Sequence, residues 1–142
     1  MLHSAFSSHH RALITRKKNE IRELSQKAAT LLQKESSVAT ETSLPSLNAL
    51  VLDSSRLDKK IKGNVAIIRE TAKKWEDAIE EIDDSDGAEQ ASFEKYFTDG
   101  DSVDNAVLTI EATTGDIGLE LQYLCLIVGI RISQIREELI FQ

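Results

Sequence analysis

The stretch Leu57–Ile82, LDKKIKGNVAIIRETAKKWEDAIEEI, repeats apolar side chains at intervals of three and four residues. This spacing places them on one face of an α-helix. We predict a long helix from about Ser46 to Ile82, and Pro45 either ends what precedes it or starts this helix, where proline is tolerated. A helix of this length spans about 50 Å and needs a second long helix to cover its apolar face. That face comprises Leu57, Ile61, Val65, Ile68, Ala72, Trp75, Ile79 and Ile82.

The residues before this helix predict another helix and a loop. From His10 to Lys34, apolar side chains again recur at helical spacing, and basic side chains occupy the other face. The segment Glu35–Ser46, ESSVATETSLPS, is rich in serine and threonine, whose side chains compete with helical hydrogen bonds. The predicted order is therefore a helix over 10–34, a loop over 35–46 and the long second helix.

The C-terminal third predicts a further helix that is interrupted. Thr113–Gly118, TTGDIG, indicates a break or kink, which leaves a final helix from Asp116 to the end. The run LCLIVGIRI has the β-branched character of a strand. We favour a helix, because the following SQIREELI continues the 3.6-residue period and no second strand is available for pairing. Aromatic residues at Phe93, Tyr96 and Phe97 indicate a short helix or an extension of the next one.

These elements predict an all-α fold. We expect an elongated, coiled-coil-like antiparallel helical bundle of three long helices plus a short one. A chain of 142 residues with one proline suits a single helical domain, which we assign to residues 10–142 after a flexible tail at 1–9.

The net charge of −7 is divided unevenly along the chain. Residues 1–75 contain fourteen Lys and Arg against seven Asp and Glu, whereas residues 76–142 contain three against seventeen. Such asymmetry indicates either a basic surface for an anionic partner or two helices with complementary faces.

The acidic stretch Glu80–Gln90, EEIDDSDGAEQ, raises the question of a calcium loop. With Gly87 at position 6 of an EF-hand loop, Ile82 and Phe93 fall at positions 1 and 12, which require oxygen ligands. Shifting the frame by one residue moves the glycine to position 5, where a ligand is needed. We therefore interpret the stretch as an acidic solvated turn.

No other motif predicts a catalytic, cofactor or metal site. His3, His9 and His10 lie without cysteine or carboxylate neighbours, and no glycine-rich phosphate loop, His-Glu-x-x-His or Cys-x-x-Cys is present. The single cysteine, Cys125, lies in an apolar run and is interpreted as an inert buried thiol. We expect no enzymatic activity and no cofactor.

The longest apolar run, YLCLIVGI, has eight residues, far fewer than the roughly twenty that a membrane span requires. We expect no membrane association and a cytoplasmic location, with a nuclear location as the alternative.

Two kinds of partner are predicted. The stretch LQYLCLIVGIRISQI is apolar nearly all round a helix and therefore needs enclosure on every side, most simply by a partner chain. We predict a homo-oligomer, with a dimer favoured, whose interface includes Leu124, Ile127 and Val128. The alternative is a nucleic-acid-associated module, for which the basic N-terminal half supplies phosphate contacts. The candidate contacts are Arg11, Arg16, Lys17, Lys18 and Arg22.

Three stretches together resemble a known family. HRALITRKKNEIRELSQKAATLL, LDKKIKGNVAIIRETAKKWEDAIEEI and EQASFEKYFTDGDSVDNAVLTIE are similar in order and character to the N-terminal helical region of Gag-like polyproteins of BEL/Pao-type retroelements. The resemblance covers residues 10 to about 115 and implies a non-enzymatic, self-associating scaffold segment, or a host protein derived from one. The capsid, zinc-knuckle and protease motifs of such polyproteins do not occur in this sequence, and the resemblance assigns no functional residues.

Overall fold

The computed structural model describes the backbone of residues 2–81, 87–88, 90–91, 93 and 103–141, and the side chains of residues 9–81, 87–88, 90–91, 93 and 110–140. Over these residues the chain is helical and contains no strand. The three long helices are α1 (Leu2–Leu32), α2 (Leu44–Glu81) and α3 (Val103–Phe141), and a 3-10 helix (Gln33–Thr40) follows α1. The predicted all-α helical bundle is confirmed.

The observed helices are longer than the sequence suggested. Helix α1 begins at Leu2, so residues 2–9, which we expected to form a tail, are helical. Helix α2 begins two residues before the predicted Ser46, with Pro45 as its second residue. Ala88, Gln90, Ala91 and Phe93 are helical, in agreement with a short helix near Phe93. Tyr96 and Phe97 lie outside the described residues, as does Ile82.

The predicted break at Thr113–Gly118 is wrong, because α3 continues through it. Glycine in a helix interior costs only about 1 kcal/mol relative to alanine and leaves the helical hydrogen bonds intact. Thr114 and Gly118 are buried, so this part of α3 is held in place by packing. Local propensity indicated a break that tertiary contacts override.

The predicted loop at 35–46 contains the 3-10 helix, and its serine and threonine side chains bind the backbone as expected for such residues. The Ser37 hydroxyl donates to Lys34 O over 2.8 Å, and the Thr40 hydroxyl donates to Ser37 O over 3.2 Å. Ser43 Oγ accepts the Ser46 N–H over 3.3 Å and thereby caps α2. Val38 is the buried residue that anchors the connection.

The chain groups into two compact units. Unit 1 comprises Met1–Arg22 and Gly63–Thr113, and unit 2 comprises Glu23–Lys62 and Thr114–Gln142. Each unit has its own apolar core. The assignment of residues 10–142 to one domain stays a prediction.

The core of unit 1 is built around Trp75, which is completely buried. Its ring stacks on that of His10, with centroids 5.8 Å apart, and meets the edge of the Phe93 ring at 4.9 Å. On the surface of this unit, the Arg69 guanidinium forms an ion pair with the Glu111 carboxylate. The remaining buried core residues are Ile14, Ile68, Ala72 and Ile79.

The core of unit 2 receives side chains from all three long helices and the 3-10 helix. Its buried residues are Ala28, Leu31, Val38, Leu47, Leu50, Leu121, Leu124, Val128, Ile132 and Ile135. Within this unit α2 and α3 run antiparallel. Gly118 of α3 lies against Asp58 of α2. Seven residues later on α3, the Cys125 thiol lies 3.8 Å from the carbonyl oxygen of Val51, which precedes Asp58 by seven residues on α2.

Candidate functional site: an exposed apolar stripe and a basic groove

The most prominent surface feature of unit 2 is an apolar stripe on α3. Leu119, Tyr123, Leu126 and Ile130 are 66%, 52%, 61% and 52% exposed, respectively. Their spacing of four, three and four residues is that of a coiled-coil seam, so the four side chains follow one line along the helix. We call these four residues the α3 stripe.

The face of α3 beside the stripe packs into the core of unit 2. This packing affects the predicted homo-oligomer interface, whose residues lie on that face. Leu124 and Val128 are completely buried among residues of the same chain. Ile127 is half-buried and packs against the same core. Two of the three predicted interface residues are therefore inaccessible, and the apolar surface that α3 offers to a partner is the stripe.

Along α3 itself, the segment that carries the stripe contains little charge. Between Leu119 and Ile130 the only charged residue is Glu120. A Cβ added to Gly129 would have no atom within 4 Å, so the surface beside Ile130 is open. Depletion of charge around exposed leucine, isoleucine and tyrosine is typical of the central part of a protein interface.

An open depression of about 400 Å³ adjoins the N-terminal end of the stripe. Leu119, Glu120 and Tyr123 form one side of it, and Leu32 and Glu35 form the other. The stripe thus continues into a concave surface, which can accept a side chain from a partner.

A second surface feature of unit 2 is a groove of about 350 Å³ between α1 and α2. We call it the basic groove, because four of its eight lining residues are cationic and only Asp53 is anionic. The lining residues are Lys27, Thr30, Leu31, Lys34, Asp53, Arg56, Leu57 and Lys60.

The five residues predicted to contact phosphate lie on α1 in unit 1 and do not form one patch. Helical spacing places Arg11, Lys18 and Arg22 along one side and Arg16 on the opposite side. The Lys17 ammonium forms an ion pair with Glu20 over 3.1 Å. Lys18 is half-buried, and this burial lowers the pKa of its ammonium group.

The cysteine has the environment of an unreactive thiol. Cys125 is half-buried, and its Sγ lies 3.8 Å from the carbonyl oxygen of Val51. Burial raises the pKa of the Cys125 thiol, the Ser54 hydroxyl lowers it and the negative charge of Asp58 raises it. Because the thiolate is the nucleophile, the net upward shift opposes a catalytic role.

The structure does not test calcium binding by the acidic turn, because Asp83, Asp84 and Asp86 lie outside the described residues. Within the described part of the chain, no group of three His, Cys, Asp or Glu side chains is arranged to hold a metal ion. None of the described helices is long and apolar enough to cross a membrane.

Sequence reasoning missed both surface features. The spacing of the α3 stripe is visible in the sequence, but so is that of Leu121, Leu124 and Val128, and periodicity alone does not show which set faces the core. The groove joins cations from α1, the 3-10 helix and α2, so no local pattern could have indicated it.

No protein-family model, no curated protein and no solved structure matches this chain. The resemblance to Gag-like polyproteins therefore rests on the three quoted stretches of sequence.

Proposed function

We propose that this protein is a non-enzymatic helical assembly module that self-associates through the α3 stripe. The exposed apolar surface of Leu119, Tyr123, Leu126 and Ile130 is the observation that carries the proposal. Monomeric proteins expose single apolar residues routinely, but a continuous line of four large ones indicates an interaction site.

The stripe fits a second copy of the same chain. In an antiparallel pair of α3 helices related by a twofold axis between Tyr123 and Leu126, Leu119 of one copy faces Ile130 of the other. Tyr123 then faces Leu126. Each contact occurs twice, as twofold symmetry requires, and the seam has the knobs-into-holes spacing of a coiled coil.

The charges beside the stripe favour the same arrangement. In that pairing, Glu120 of one copy approaches Arg131 of the other, near each end of the seam. Arg131 already donates from Nε to the carbonyl oxygen of Glu41 over 2.9 Å, which holds its side chain on the surface beside Ile130. Two such pairs at the rim would set the register, while contributing little to affinity.

The proposal agrees with what the resemblance to Gag-like polyproteins implies, namely a structural segment that associates with copies of itself. The nucleic-acid alternative has less support, because the five candidate phosphate contacts on α1 are spread over different sides of the helix.

Sedimentation equilibrium over a wide range of protein concentration tests the proposal. We expect a reversible dimer for the unmodified chain and a monomer for Leu126→Lys, whose melting temperature should match that of the unmodified chain at concentrations low enough for the latter to be monomeric. The lysine places a charge in the centre of the seam, where its burial is costly, but leaves the core untouched. Leu52→Lys is the matched control, since Leu52 is 49% exposed on α2 and lies outside the stripe.

Dimerisation of the Leu52→Lys variant together with loss of the dimer in Leu126→Lys would assign the interface to the stripe. An unmodified chain that is monomeric at every concentration would refute self-association. A dimer that survives Leu126→Lys would place the interface elsewhere.

A further inference from the structure

We propose that the basic groove of unit 2 binds a compact polyphosphate anion, meaning a ligand with two or more linked phosphate groups. This site is distinct from the α3 stripe, because α1 and α2 supply seven of its eight lining residues and the 3-10 helix supplies the eighth, Lys34. The inference therefore does not depend on self-association.

The cations of the groove are available to a ligand. Lys27 comes from α1, Lys34 from the 3-10 helix, and Arg56 and Lys60 from α2. None of the four forms an ion pair with a carboxylate among the described residues of the chain. With Asp53 included, the lining carries a formal charge of +3, which suits a ligand with about three negative charges.

The spacing of the cations matches more than one phosphate group. Lys27 on α1 and Lys34 on the 3-10 helix are seven residues apart, which is about 11 Å along these two helices, and Arg56 and Lys60 are separated by about 6 Å along α2. Packed helices lie about 8 to 10 Å apart, so the four charges surround the groove rather than converge on one point. The backbone positions of the four cations therefore span about 10 Å, which two or three linked phosphate groups match better than one.

The chemistry of the lining also fits phosphate. The planar guanidinium of Arg56 can donate two parallel hydrogen bonds to phosphate oxygens, and the lysines act as point charges. Thr30 adds a hydroxyl, whose oxygen lies 3.1 Å from the Gln26 carbonyl. Leu31 and Leu57 form the apolar floor. A volume of about 350 Å³ lies in the range of small-ligand sites.

The charge distribution favours a compact anion over a nucleic acid. Unit 2 contains eight Lys and Arg and nine Asp and Glu, so its formal charge is −1. A nucleic acid is held by positive charge along an extended surface, because every nucleotide adds a phosphate. Here four of the eight cations of the unit line one groove, and the unit as a whole is almost neutral.

Isothermal titration calorimetry with inorganic tripolyphosphate at low salt tests this proposal. We expect saturable one-to-one binding to the unmodified chain. The double variant Lys34→Gln/Arg56→Gln should weaken binding by at least about tenfold, because it removes one charged hydrogen-bonding group from each wall. Lys59→Gln/Arg136→Gln is the matched control. It removes the same charge from exposed residues of unit 2 that do not line the groove, and we expect a change of less than about twofold.

Absence of binding, or equal weakening in the two double variants, would overturn the proposal, since equal weakening indicates a general effect of charge. Titration with a nucleoside triphosphate distinguishes the source of the phosphates: tighter binding than tripolyphosphate would indicate that the apolar floor holds a base. Single-stranded RNA that binds more tightly than tripolyphosphate, and equally well to the groove variant, would instead favour the nucleic-acid alternative.

Discussion

Gly118 on α3 lies against the carboxylate of Asp58 on α2, so closely that a Cβ added to Gly118 would lie 2.9 Å from Asp58 Oδ1. The other oxygen of this carboxylate, Oδ2, accepts a hydrogen bond from the Lys62 ammonium over 2.9 Å. Oδ1 is buried and forms no hydrogen bond with the described residues. Absence of a side chain at Gly118 therefore permits the two helices to approach at this point.

Gly118→Ala should lower the free energy of unfolding by about 1 kcal/mol, because the new methyl group must displace the carboxylate of Asp58, whose Oδ1 is buried. Gly115→Ala is the matched control on the same helix. No atom lies within 4 Å of its added Cβ, so the better helix propensity of alanine should raise stability by about 0.5 to 1 kcal/mol. Urea denaturation measures both changes.

Replacing Asp58 tests the cause of this difference. An Asp58→Ala variant lacks the carboxylate that the new methyl group would meet. In that background Gly118→Ala should become stabilising, as Gly115→Ala is. Stabilisation by Gly118→Ala in the unmodified chain would show that the contact with Asp58 is not restrictive.

Leu124 and Leu126 are two residues apart on α3 and should respond differently to truncation. Leu124→Ala should reduce the free energy of unfolding by about 2 to 5 kcal/mol, since it opens a cavity in the core of unit 2. Leu126→Ala removes a side chain that is 61% exposed and should change the stability of the monomer by about 0.5 kcal/mol or less. Chemical denaturation at low protein concentration makes the comparison, and similar losses in both variants would contradict the assignment of the two faces.

Trp75→Ala should destabilise the fold by about 3 to 5 kcal/mol, because the buried indole contacts the rings of His10 and Phe93. Trp75→Phe, which retains an aromatic ring, should cost less. The native fluorescence of Trp75 should be blue-shifted and should shift to the red on unfolding. A native emission maximum typical of indole in water would be incompatible with its burial.

The Cys125 thiol should react slowly with a disulfide reagent in the native protein and rapidly in urea. Burial is the main cause, and it raises the thiol pKa above the ordinary value of 9.0. Asp58→Asn should accelerate native labelling by about twofold, because it removes a negative charge that raises the same pKa. Ser55→Ala changes an exposed residue of α2 and serves as the control. Native labelling as fast as in urea would disprove the protected environment.

The stability difference between the unmodified chain and a Lys18→Met variant should depend on pH. Burial lowers the pKa of Lys18 in the folded protein, so its charged form carries the cost of burial at neutral pH. Between the lowered pKa and the ordinary value of 10.5, the unfolded chain binds more protons than the folded one, and stability contributed by this group rises with pH.

The unmodified chain should therefore gain stability relative to Lys18→Met as the pH rises from neutral to 10.5. Urea denaturation across this range measures the difference, and Lys73→Met corrects for loss of one exposed positive charge. A difference between the two variants that does not change with pH would mean that burial does not perturb Lys18.

The periodicity of the sequence was sufficient to predict the helices and much of the core. Ile61, Ile68, Ala72, Trp75 and Ile79 were assigned to one face of α2, and all five are buried. This prediction succeeded because each of these side chains recurs at the helical period within a single element, and the apolar face of a long helix must be covered. The approximate bounds of α2 in the sequence, with a proline near its start, followed from the same local rules.

Only the tertiary structure decided which residues of different helices contact one another. α3 is apolar on most sides, so its sequence could not show that Leu124 and Val128 face the core while Leu126 and Ile130 face outward. Gly115 and Gly118 indicated a break in α3. In the structure Gly118 contacts Asp58 where α3 packs on α2, and α3 remains continuous. The basic groove likewise exists only because the 3-10 helix and α2 bring Lys34 and Arg56 to the same cavity. Local sequence determines which residues form a helix, whereas the choice among several apolar faces depends on which neighbouring helix excludes water from each one.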